Sequence, residues 1–369
     1  MRGSSSATGI PLPAPAGRVA TFALALGLAT ACGGGGGGKK PPPPPTPLGS
    51  VTVQPGPCAA GPGPLPTSSC LLLEVDALSN PLASLELRVI DPDVATPVVG
   101  TVILAGGGIG ADFIGDDPGG DQLTQDLLAA GFRVIDRRWP NGWFVDSTGV
   151  REQSARFAVA LDWIRTNLHT VGPLCAVGNS GGSGEIAYSL TSWDGDDLLE
   201  VAVLGSGPPL TRLDYLCEVP ASAAWSNQCA ALVPPATMTC GQPSCEPELT
   251  NPLCPLLPPS PAPGELLDQS ILFPAAVLAY PTTTVQMLLG TDDCTSAVPL
   301  GLLYLAAITT PVSLDFVANA PHDLFTTQAG RDAILLALTS SLPPPDDGAA
   351  EPGPGLRIHL TWIDLDARN

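Results

Sequence analysis

Charge is sparse in this chain of 369 residues. Asp, Glu, Lys and Arg make up 14% of it, where roughly 25% is usual. Cations are the scarcer kind: 15 Lys and Arg stand against 35 Asp and Glu, a formal net charge of −20. Lysine occurs only as Lys39 and Lys40, and no acidic residue precedes Glu74. Four basic residues lie in that acid-free leader, so the remainder carries eleven against 35, a formal −24. A body this acidic argues against a nucleic-acid partner, because phosphate contacts need clustered Lys and Arg. The apolar run Val19–Ala31 has 13 residues, short of the roughly 20 that a membrane-spanning helix needs. Histidine occurs three times, as His169, His322 and His359, which confines any imidazole chemistry to three positions.

What the chain has in excess is Gly (41) and Pro (43), together about twice the usual share of roughly 12%. Because 44% of residues are still apolar, the excess must be concentrated in particular stretches. The first stretch is the leader. Arg2 and Arg18 with the apolar Val19–Ala31 read as an export signal over 1–31. The following Ala29-Thr30-Ala31-Cys32 resembles the lipobox of bacterial lipoproteins, although Ala29 stands where that family prefers Leu. The resemblance implies lipidation of Cys32 and a membrane anchor at the bacterial cell envelope; an ordinary cleaved signal peptide is the alternative. Gly33–Gly38 and Pro41–Pro45 make a flexible and then a stiff tether, assigned with Cys32 to 32–69.

The ten cysteines fit an exported protein. With Cys32 set aside for lipid and Cys175 for a buried free thiol in an apolar run, eight remain. An even number points to as many as four disulfides in an oxidising compartment. Cys58 and Cys70 are expected to close one loop, and the others to clip the 217–294 region. Metal binding at Cys240-x4-Cys245 lacks a nearby histidine and the spacing of a zinc site.

Order begins near Cys70. Cys70–Asp76 and Ser84–Asp91 read as antiparallel strands. Val98–Ala105, Phe132–Ile135, Leu174–Gly178, Leu199–Leu204, Thr284–Leu289 and Val312–Val317 read as buried, mostly parallel strands, since several are apolar on both faces. Between them, Asp121–Ala130, Glu152–Leu168, the segment from Gly184 and Asp332–Leu342 carry helical spacing. The expected architecture is therefore α/β: a mostly parallel sheet of about eight strands with helices on both faces, over 70–342. A Cys/Pro-rich cap insertion, 207–268, interrupts it. Residues 343–369 read as a Pro-rich linker and one extra C-terminal strand.

Gly178-Asn179-Ser180-Gly181-Gly182 lies between an apolar strand and a helix. That is the setting of a G-x-S-x-G nucleophile elbow, where glycines two residues either side of the Ser relieve a steric clash. Ser183 is a poorer candidate, with Glu185 two residues on. Of the histidines, His322 alone follows the last parallel strand in a loop before a helix, downstream of Ser180. A carboxylate at the end of the Thr284–Leu289 strand would hold its imidazole; Asp292 and Asp293 are both candidates. Together these residues resemble the triad of the α/β-hydrolase superfamily, its serine esterases and lipases in particular. The superfamily's Gly-x-x-Asp, counted from Gly290, favours Asp293, although extra residues including Cys294 precede Val298-Pro299.

An oxyanion hole needs two backbone N–H donors. One is expected at Gly181 and the other in Gly106–Gly110, with Gly107 and Gly108 chosen. This loop resembles the H-G-G-G loop of lipases and esterases, with Ala105 where the family often has His. The same glycines loosely fit a dinucleotide fingerprint (Gly106, Gly108, Ala111, then Asp136), a rival that leaves Ser180 and His322 unexplained. Trp139, Trp143 and Phe144 are candidates for either pocket lining or core. The resemblance implies an exported hydrolase of carboxylic esters, with a small-molecule or lipid-like ester as substrate and no metal or cofactor. A serine peptidase on the same triad and an inactive surface-binding lipoprotein remain the rivals, since fold does not choose among them.

Overall fold

The computed structural model describes residues 48–54, 68–78, 80–144, 148–217, 223–233, 237–245, 254 and 264–341. The leader, Cys32, Cys58 and the expected C-terminal strand lie outside the described residues.

Among the described residues, nine strands form one sheet. They are β1 (Gly49–Gln54), β2 (Ser68–Ala77), β3 (Ala83–Ile90), β4 (Gly100–Ala105), β5 (Phe132–Arg138), β6 (Leu174–Asn179), β7 (Val201–Gly205), β8 (Thr284–Gly290) and β9 (Val312–Val317). Their order is β1-β2-β3-β5-β4-β6-β7-β8-β9. The pairs from β1 to β5 through β2 and β3 are antiparallel, and all later pairs are parallel. The central strands are buried on both faces, as their all-apolar sequences require. In β4, Val102 and Leu104 join the core on one face, while Ile103 and Ala105 join the core on the other. That split is the two-residue period of a strand.

Helices cover both faces. On one side, α1 (Pro118–Ala129) and α8 (Gln328–Thr339) bury Leu123, Leu127, Ile334 and Leu338. On the other, α2 (Val150–Asn167) and α3 (Gly181–Ser192) bury Phe157, Leu161, Ile164 and Ile186. Asp117 caps α1 by accepting a hydrogen bond from Gly119 N, satisfying one of the orphan donors at a helix start.

The structure departs from the sequence reading at three places. β1 lies inside the segment 32–69 read as tether, so the sheet has one strand more than expected. Its Val51 and Val53 alternate weakly between Pro- and Gly-rich flanks. What makes it a strand is backbone pairing with β2, from Gly49 opposite Ala77 to Gln54 opposite Leu72. Second, the insertion is not without helices: α4 (Leu213–Cys217), α5 (Ala223–Leu232) and α6 (Glu265–Asp268) lie in it. Third, α7 (Ala297–Ala307) follows β8, and Pro299 is accommodated in its first turn, where no intrahelical N–H bond is lost.

Three disulfides brace the insertion: Cys217–Cys254, Cys229–Cys245 and Cys240–Cys294. Cys240 and Cys245 are thereby taken up in disulfides rather than in a metal site. Cys175 is a buried free thiol on β6, its pKa pushed up to about 12 by burial.

Candidate active site

The loops that follow β4, β6, β8 and β9 all leave the carboxyl ends of parallel strands, the edge where open α/β sheets place their ligand sites. These four loops hold Gly106–Gly110, Ser180, Asp293 and His322 respectively.

Ser180 sits between β6 and α3 with φ 50° and ψ −115°. A non-glycine residue at positive φ is strained by about 1–3 kcal/mol and persists only where its surroundings hold it. Here the backbone does so. Ser180 N donates to Gly205 O on β7 (2.9 Å), and Ser180 O accepts from Gly184 N (3.1 Å) and from Ser183 Oγ (2.5 Å). The flanking glycines are sterically required. A methyl group at Gly178 would lie 2.5 Å from Gly182 C, and one at Gly182 would lie 2.0 Å from Ala105 O. Across the turn is Gly107, where a methyl group would stand 3.4 Å from Ser180 Cβ. Gly181 opens α3, so its N–H has no acceptor within the helix.

Asp293 and His322 meet directly: His322 Nδ1 lies 2.9 Å from Asp293 Oδ2. The other carboxylate oxygen, Oδ1, accepts from Thr295 Oγ1 (2.7 Å) and Thr295 N (3.1 Å). Burial would raise the Asp293 pKa, but the hydrogen bond and charge of His322 and the two bonds from Thr295 outweigh it and hold it below the ordinary value. Asp292 is exposed and its carboxylate accepts only a long bond (3.4 Å) from Thr291 Oγ1. Its backbone N–H donates to Ala320 O (3.0 Å), which laces the acid loop to the histidine loop. Thus the structure brings Asp293, not Asp292, to His322.

The serine and histidine loops are joined by their neighbours. Asn179 Nδ2 donates to Asp323 Oδ1 (2.9 Å), linking the residue before Ser180 to the residue after His322. Neither this pair nor Thr295 is marked by sequence alone, because each matters only through a partner elsewhere in the chain. His169 lies apart, after α2, bonded to Thr101 Oγ1 (3.1 Å).

Trp139, Trp143 and Phe144 are buried core residues, at 0–3% exposure, rather than an open pocket wall. Asp136 is also buried. It accepts from Ile114 N (3.1 Å) and Gly115 N (2.9 Å), so it braces the chain after the glycine loop. Burial raises its pKa to about 7, against the lowering by those two N–H groups and by Arg88.

No protein-family model matches the chain, and no curated protein sequence matches it. Solved structures do. A truncated form of a carbohydrate esterase from gut microbiota is 16% identical, with a TM-score of 0.50 over 76% of this chain and 99% of that one. The chain is also similar to brefeldin A esterase, described as a bacterial homologue of human hormone-sensitive lipase (15% identity, TM-score 0.49, 76% of each chain). A third is Est1E from Butyrivibrio proteoclasticus (11%, TM-score 0.43, 73% of this chain and 99% of that one). The chain has the α/β-hydrolase fold. Within the α/β-hydrolase fold of this chain, the sheet's parallel half supplies all four site loops, and the antiparallel β1–β3 supplies none.

Proposed function

We propose that this protein is a serine hydrolase of carboxylic esters. The observation that carries the reading is the hydrogen-bonded Asp293–His322 pair (2.9 Å), on a loop tied through Asp323 to Asn179, the residue before a serine held at positive φ. Ser180 Oγ attacks the ester carbonyl carbon and passes its proton to His322 Nε2. Asp293 keeps the Nδ1 proton in place and stabilises the imidazolium. The carbonyl oxygen becomes an oxyanion facing the N–H groups of Gly181 and of Gly107 or Gly108. The tetrahedral intermediate collapses, the carbon–oxygen bond to the alcohol breaks, and His322 returns the proton to the leaving alkoxide. Water, deprotonated by His322, then releases the acid from the acyl-enzyme and restores Ser180.

The reading includes export. Disulfides persist in oxidising compartments, and three of them brace the insertion. Lipidation of Cys32 would place the enzyme on a membrane of the bacterial cell envelope, where Cys32→Ala is expected to release it into the soluble fraction. Continued membrane association of that variant would remove the anchor from the reading.

A fluorophosphonate probe tests the chemistry. It is expected to label the purified protein at neutral pH, with labelling abolished by Ser180→Ala and ester turnover lowered by roughly 10³–10⁶. An unlabelled wild-type protein would overturn the enzyme in favour of a binding lipoprotein. Faster cleavage of aminoacyl anilides than of p-nitrophenyl esters would make it a peptidase.

A further inference from the structure

A buried charge cluster lies behind the glycine loop, and the proposed chemistry does not use it. Arg137, at the end of β5, forms an ion pair with Glu185 of α3. The two side chains are 1% and 0% exposed. Trp139 Nε1 donates to the other Glu185 oxygen (2.6 Å). Burial raises the Glu185 carboxyl and lowers the Arg137 guanidinium, and their attraction opposes both shifts. Such a pair is a poor device for stability alone. Desolvating two charges is costly, and an apolar replacement is often neutral or better. A planar fork of N–H donors, however, gives direction that an apolar group cannot.

The direction here is toward the loop. Arg137 donates to Gly110 O (3.2 Å) and, at longer range, to Gly106 O (3.4 Å). It therefore spans both ends of Gly106–Gly110. Trp139 N also donates to Gly110 O (2.7 Å), and Trp143 N to Ile109 O (3.0 Å). A peptide unit is planar and trans, so its C=O and N–H point opposite ways. Gly106 O and Gly107 N belong to one such unit. With Gly106 O accepting from Arg137, Gly107 N–H is directed the opposite way, and Gly107 itself stands across from Ser180, where a methyl group on it would lie 3.4 Å from Ser180 Cβ. Glu185 sits on the helix whose first residue is Gly181, the other proposed donor.

We propose that Arg137 is a positioning residue: it sets the Gly106–Gly107 peptide so that Gly107 N–H faces the oxyanion, and Glu185 and Trp139 hold it there. One buried pair thereby ties both donors of the hole together. This rests on the reading of Ser180 as nucleophile.

The test compares wild type, Arg137→Met and Trp139→Phe with p-nitrophenyl acetate, counting active sites by fluorophosphonate titration. A trifluoromethyl ketone, whose hemiketal needs the same hole, serves as inhibitor. Arg137→Met is expected to lower kcat per titrated site by about 10- to 100-fold, with KM within about twofold. Ki for the ketone should weaken in proportion, and the pH midpoint of kcat/KM should stay in place. Trp139→Phe should show the same pattern at roughly 3- to 10-fold, and it carries the test if Arg137→Met does not fold.

Wild-type kcat per site in a folded variant, with only the melting temperature lowered, overturns the proposal and leaves the serine hydrolase standing. So does an insoluble Arg137→Met beside a Trp139→Phe of wild-type kcat, or failure of both to fold. A lowered kcat with unchanged Ki and a shifted pH midpoint would move the effect to His322 and overturn it too. Wild-type protein that neither labels nor turns over removes both readings at once.

Discussion

Ser180 is held largely by backbone, within a few strands that lie side by side. Asp293 and His322 are held by side chains and by a covalent link from the insertion. On the first side, the fit is steric: glycine at 178 and 182 admits neighbouring backbone at distances no side chain tolerates. On the second side, Thr295 fixes one carboxylate oxygen so that the other meets His322. The insertion reaches the same loop. Thr239 N donates to Thr291 O (2.9 Å), Ser244 N donates to Cys294 O (2.9 Å), and Cys240 is bonded to Cys294, next to Asp293. The serine turn is therefore fixed by local geometry. The acid–base side depends on contacts that can be cut one at a time.

The largest effect is expected at the acid. Asp293→Asn is expected to lower kcat by roughly 10²–10⁴, because the amide cannot hold the same imidazole tautomer. Asp292→Asn should stay within about threefold, since its side chain is exposed and touches no other site residue. Equal damage from both changes, read from steady-state ester hydrolysis, would sink the assignment of Asp293.

A smaller effect is expected at the seam between the two sides. Asn179→Ala removes the bond to Asp323 but also an unpartnered buried oxygen, Asn179 Oδ1. Stability should therefore change little, while kcat falls about 3- to 10-fold as the two loops lose register. A loss of stability with kcat intact would make the bond structural only.

Next is the disulfide to the acid loop. Replacing Cys240 and Cys294 together by Ser should lower kcat about 2- to 5-fold and the melting temperature by several degrees. Replacing Cys217 and Cys254 should lower only the melting temperature. If both double variants keep full kcat, the insertion does not support Asp293.

The smallest effect is on pH-dependent stability behind the nucleophile side. Asp136 titrates at about 7 when folded but near 4 when unfolded. Between those values the folded state binds the extra proton, so stability falls as pH rises through that window. Asp136→Asn should flatten the fall in a series of thermal melts from pH 8 to 4; an unchanged slope would assign it to other groups.

Much of this molecule was legible in the chain itself. The strands around the site are apolar on both faces, which only a covered parallel sheet accommodates, and they recur where expected within a few residues. The serine turn was legible because its constraint is local: a strand, five residues rich in glycine, and a helix. β1 was not, because its pairing with β2 rather than its own composition makes it a strand. The helices of the insertion were hidden among prolines and cysteines.

Local pattern along the chain thus sufficed for the layered sheet, for a disulfide-bearing insertion and for the serine on its strained turn. These depend on neighbours a few residues apart. Packing of distant segments selects which aspartate meets His322, which of the many cysteine pairings forms, and the closure of Arg137 and Glu185 behind the glycine loop. Those choices join residues tens of positions apart, and whether two side chains meet across such a distance depends on strand register and helix placement, which local pattern does not contain.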